Sequence, residues 1–99
     1  MTISDIVKNI EQHNEEALIY AKRIDGEFLS TSEAVLVDEP EEETLSTKEI
    51  AAKHCPGFEY FLEVFLVKDL LEELNETPGF TSLEQQVAKI IHYAKNDAM

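Results

Sequence analysis

The sequence predicts an α+β fold: a small antiparallel three-stranded sheet, built from a β-hairpin and one further strand, packed by helices on one face in the order α-β-β-α-β-α-α. Three observations predict it. Asp25-Gly26 lies between two runs rich in strand formers, "ALIYAKRI" (17–24) and "EFLSTSEAVLV" (27–37), and that pair suits the positive φ angles of a tight hairpin turn. A third run dense in aromatic and β-branched residues, "FEYFLEVF" (58–65), follows the turn signal Pro56-Gly57. Around these runs, apolar residues recur at helical spacing behind serine caps.

The first helix is short. Ser4 is placed to cap it, and Ile3, Ile6, Val7 and Ile10 form its apolar stripe before polar residues from Glu11 to Glu16 end the pattern. In the hairpin, Val35, Leu36 and Val37 are the most apolar part of the returning strand. "DEPEEET" (38–44) is a loop, because five carboxylates in six residues repel one another and Pro40 removes a backbone donor.

Ser46 with Glu49 forms a capping box for a second helix, through about Lys53. Cys55 precedes Pro56, which disfavours helical geometry at Cys55, and Gly57 completes the stop. The segment 58–65 fits two patterns. Phe58, Phe61, Leu62, Phe65 and Leu66 match a helical face, while the aromatic density and the preceding turn favour a strand. The strand is the favoured reading, from about Phe58 to Val64, followed by a helix from about Leu66 to Asn75 with Leu70, Leu71 and Leu74 in the core. "NETPGF" breaks that helix. The last helix opens on a Ser82–Gln85 capping box and carries the stripe Leu83, Val87, Ile90, Ile91 and Ala94.

A chain of 99 residues fits a single small acidic α+β domain, 1–99, and its 43% hydrophobic content is an ordinary globular share. Charge is the anomaly. Twenty-one acids against eight bases give −13, a field that repels nucleic-acid phosphates and anionic lipids. Direct nucleic-acid binding is not expected, since lysine and arginine contacts to phosphate normally supply most of that affinity. No run reaches the roughly 20 apolar residues of a membrane span. "MTISDIVKNIEQH" lacks the stages of a signal peptide, and one cysteine forms no internal disulfide, so the expected compartment is cytoplasmic.

Little in the chain carries recognisable chemistry. His54-Cys55 could join a thiol to a base, but adjacent side chains diverge, and zinc commonly takes closely spaced pairs while His13 and His92 lie far off in sequence. The stretch "HCPG" therefore reads as a turn with a small buried thiol. His92 reads as a hydrogen-bonded residue at the edge of the apolar stripe. Tyr20, Tyr60 and Tyr93 read as core or rim aromatics, or as anchors of a protein interface. Asp38, Glu39, Glu41, Glu42 and Glu43 lack the alternating ligand spacing and turn glycine of a calcium loop. No resident metal or cofactor is expected, and with three glycines there is no phosphate-cradling loop.

Three functional readings follow. The leading one is a non-catalytic protein-binding module, because the chain is small and its acids are concentrated. Between Ile24 and Thr47 there are eight acids and no lysine or arginine, a field that steers basic proteins. Asp38, Glu39, Glu41, Glu42 and Glu43 are its candidate partner-binding residues. Small acidic inhibitors, immunity proteins and antitoxins share this physics, an analogy of composition that no motif carries. The second reading is a structural homo-oligomer or homodimer, paired through a sheet edge or helix face. The third is an enzyme or small-ligand domain in which Glu59 and Glu63 share a sheet face as a carboxylate pair, with His54 and Tyr60 nearby.

Overall fold

Among the described residues, four helices and three strands succeed one another in the predicted order: α1 (Ile3–Lys8), a 3₁₀ turn (Ile10–Gln12), β1 (Leu18–Ala21), β2 (Ala34–Val37), α2 (Thr47–His54), β3 (Glu59–Glu63), α3 (Val64–Asn75) and α4 (Leu83–Asp97). The computed structural model describes residues 1–38 and 46–97. The sheet is antiparallel throughout, ordered β2-β1-β3, so β1 is central and β2 and β3 are its edges. Among the described residues no helix is long and apolar enough to cross a membrane.

The Asp25-Gly26 turn forms as its residue types require. Asp25 has φ 52° and Gly26 φ 83°, and the Ile24 and Glu27 backbones exchange bonds of 2.7 and 3.1 Å. The two arms are less regular than the predicted hairpin. A continuous ladder from that turn would set Ala21 opposite Ser30, whereas its observed partner is Ala34. The extra residues of the returning arm dock α1 instead. The Ile3 and Ser4 amides donate to the Ser32 and Ser30 carbonyls, both at 3.0 Å, and Ser32, fully buried, accepts the Leu29 amide at its hydroxyl at 2.8 Å.

The first cap is also corrected. Ser4 does not cap α1, because it already lies inside the helix, one residue past its start. Thr2 does, in extended geometry, with a reciprocal capping box to Asp5. The exchange with Thr2 holds the Asp5 carboxyl below its ordinary value. Ser46 caps α2 by accepting the Glu49 amide, and Ser82 and Gln85 close the predicted box on α4 at 3.2 Å each way.

The sheet faces divide the core. Ile19 and Ala21 of β1 pack with α1, α3 and α4 residues into the larger cluster, where Val64, Val67, Val87 and Ile90 are fully buried. Three helices, α1, α3 and α4, thus gather on one face, whereas α2 departs from the expectation and covers the other, because Tyr20 and Val37 point there. The opposite face carries a smaller second layer: Tyr20 and Val37 pack against Ile50, Ala51 and Cys55 of α2 and its end. Phe61 and Leu62, consecutive in β3, both join the larger cluster because the β1–β3 register shifts between Ile19 and Tyr20, a bulge that turns two successive side chains to one side. The aromatic segment is a strand, as expected, and α3 begins at Val64, two residues earlier than predicted. The core of α3 is Val64, Val67 and Leu74; Leu70 and Leu71 pack at its margin.

Candidate functional site

The sequence from His54 to Phe58 is a turn that sets the position of β3. Cys55 is the C-cap of α2, its amide donating to Ala51 at 2.8 Å, and its carbonyl accepts the Phe58 amide at 3.1 Å. Gly57 takes φ 91°, a conformation that side chains disfavour. His54 is exposed at the end of α2, while Cys55 is buried and free. Burial pushes the Cys55 thiol above its ordinary value of 9.0.

Two consequences follow for Cys55. Its thiolate is scarce at neutral pH, so iodoacetamide is expected to label it more slowly than free cysteine. Its contribution to stability is complete below pH 9.0 and declines as pH rises through the elevated folded value, because the unfolded chain ionises first. Cys55→Ala should flatten that alkaline decline at modest cost to stability at pH 7, and Cys55→Ser should cost more, since it buries a hydroxyl. Labelling faster than free cysteine, or an unchanged alkaline slope in Cys55→Ala, would contradict this account.

Beyond the turn, β3 lines a groove of about 620 Å³ along its outer edge. Thr47, Ala51 and Ala52 of α2 form one side, and Leu66 of α3 and Ala94 of α4 belong to the other. Tyr60 lines it as well, its ring meeting the buried Tyr20 ring edge-on at 5.9 Å. At the Glu59 end the groove meets a cation: Arg23 binds Glu59 at 2.8 Å, donates to the Gly26 carbonyl at 3.1 Å and covers the Phe28 ring at 4.4 Å. Lys48, on the first turn of α2, also lines the groove.

At the other end, Leu62 closes the groove and Glu63 opens a second depression of about 350 Å³, shared with Glu15, Glu16 and Phe65. The Phe65 ring, on the first turn of α3, is 43% exposed. The loop is held there by the strand end: the Val64 amide donates to Ala17 and the Phe65 amide to Glu15. Lys68 answers Glu15 at 3.6 Å; Glu16 and Glu63 have no ion pair among the described residues.

The bulge overturns the predicted carboxylate pair. Glu59 stands opposite Ala21 and Glu63 opposite Leu18, positions an odd number apart on one regular strand, so the two acids lie on opposite faces of the sheet. Glu59 is engaged by Arg23, and Glu63 belongs to the Phe65 depression. Tyr60 lines the groove, whereas His54 is not among its lining residues. Of the acidic candidates, Asp38 is exposed immediately beyond β2; Glu39, Glu41, Glu42 and Glu43 lie outside the described residues. His92 is exposed on α4 and bonded to Asn96 at 2.9 Å. Among the described residues no group of histidine, cysteine and carboxylate side chains could hold a metal ion.

Sequence reasoning did not single out Arg23, Lys48, Ala52, Glu15 or Glu16. None belongs to a motif, and they come together only because α2 and β3 flank one another and the loop before β1 meets the start of α3. Phe65 was legible as an aromatic but not as an exposed one. No known protein family, curated protein or solved structure matches the chain.

Proposed function

We propose that the protein is a non-catalytic protein-binding module whose acidic field steers a basic partner. The observation that supports this reading is the groove along the outer edge of β3, which no other strand covers among the described residues. Such edges present backbone groups that another chain can pair with. The charge supplies the approach. A net −13, with eight acids and no lysine or arginine from Ile24 to Thr47, raises the on-rate of a cationic protein and disfavours an anionic one.

The test begins with capture of partners from native lysate at low salt. Association of the captured protein is then timed. Raising salt from about 0.05 to about 0.5 M shortens the screening length roughly threefold, so association is expected to slow while dissociation changes less. The triple substitution Glu41→Gln, Glu42→Gln and Glu43→Gln should reproduce part of that slowing without lowering the melting temperature, because only like charges are removed. Salt-independent association, unaffected by the triple variant, would make the acidity a solubility feature.

A further inference from the structure

We propose that β3 accepts a fourth strand from the partner: an extended peptide segment with apolar side chains at alternate positions and a lysine or arginine at the Glu63 end. The inference rests on the binding-module reading and specifies its mode of binding. The two sheet edges are not equivalent. The edge at β2 is covered at its start by the N-terminal residues, with Ala34 donating to the Met1 carbonyl at 2.7 Å and Thr2 bridging Glu33. The edge at β3 has no strand beside it among the described residues, and the groove follows it.

The groove has room on both sides of an added strand. Side chains of a strand alternate between two faces. Here one set would enter beside Thr47, Ala51 and Ala52, and the other beside Leu66 and Ala94, where small residues leave volume unfilled. A second copy of the chain fits this edge poorly. Antiparallel pairing of "EYFLE" about Phe61 sets Glu59 of one copy against Glu63 of the other, and each copy brings −13. Like charges directly opposite are destabilising, so the occupant is a different protein.

Charge then orients the segment. The Glu59 end is compensated by Arg23, whereas the Glu63 end presents Glu63 and Glu16, without ion pairs among the described residues, beside an exposed Phe65 ring. A guanidinium or ammonium at that end meets carboxylates and an aromatic face together. The apolar middle supplies burial, backbone bonds to β3 supply affinity, and the cation sets direction.

The experiment pans a phage library of random dodecapeptides against the full chain. Selected peptides are synthesised, and binding is read by fluorescence anisotropy and by amide exchange at residues 59–63. The expected peptides alternate apolar residues, carry lysine or arginine toward one end, and protect the β3 amides. Ala52→Trp, at an exposed position of α2 on the groove wall, should weaken them by about tenfold or more with an unchanged melting temperature. The pair Glu16→Lys and Glu63→Lys should reverse the preference at that end toward acidic peptides. Overturning results are a failure to enrich any peptide, binding that leaves 59–63 unprotected, or full affinity for Ala52→Trp. A lysate partner that binds Ala52→Trp undiminished but associates slowly with the triple glutamine variant would reject strand addition and leave the binding module standing.

Discussion

Replacing Ile90 by alanine is expected to remove about 2–5 kcal/mol of stability, enough to bring a domain of this size close to unfolding at room temperature. Ile90 is fully buried on the inner stripe of α4, beside Val87 and Ala94. It touches the larger core cluster, where α4 meets both α1 and α3. Truncation removes the transfer energy of three carbons and leaves a void that packed neighbours fill only in part. Ile90 also lines a cleft of about 500 Å³ with Leu70, Leu74, Phe80 and Tyr93. Inward movement of Phe80 and Tyr93 would place the loss toward the lower end of the range. Exposed Glu84→Ala on the same helix should change stability by less than about 0.5 kcal/mol. Urea unfolding of both variants decides the matter: equal and negligible effects would mean that α4 is peripheral to the fold.

The stripe that makes Ile90 a core residue was visible in the sequence, as was most of what local chemistry controls. The Asp25-Gly26 turn and the serine caps of α2 and α4 depend on a few neighbouring residues, and they form as those residues dictate. The second half of the ambiguous segment 58–65 resolved for a non-local reason. Glu63, Val64 and Phe65 sit where β1 begins, and backbone bonds from the Val64 and Phe65 amides to the Ala17 and Glu15 carbonyls end the strand and start the helix there. The bulge in β3, the docking of residues 28–33 on α1 and the second layer formed by α2 likewise depend on contacts between distant segments. A count of alternating residues could not anticipate them. The carboxylate pair failed at the same point, since one extra residue in β3 reverses the face of everything beyond it. For the candidate site, net charge was legible because it is a sum over residues. The groove was not, because its walls come from four separate elements.

Tyr20→Ala is expected to be the other severe substitution, at about 3–5 kcal/mol, the range for loss of a large buried aromatic. Tyr20 is fully buried in the central strand and is the largest fully buried side chain in the layer beneath α2. Its removal exposes Ile50, Ala51 and Cys55 to a cavity and deletes the edge-on contact with Tyr60 at 5.9 Å. Tyr20→Phe separates packing from the hydroxyl. The hydroxyl donates to the Thr47 carbonyl at 3.3 Å, a long bond to a group that the α2 ladder can also use, so its loss should cost about 0.5–1 kcal/mol. Burial first, and the neighbouring Cys55 second, push the Tyr20 hydroxyl above its ordinary value of 10.0. A raised folded value means stability that is complete below pH 10.0 and falls as pH rises through it. Tyr20→Phe should therefore be slightly less stable than the parent at pH 7 and lose less stability above pH 10, with the wall formed by α2 intact. Thermal melts across that pH range provide the check. If Tyr20→Ala were tolerated like a surface change, the α2 layer would not be anchored through Tyr20, and the groove wall that it supports would have to be held by Ile50 and Cys55 alone.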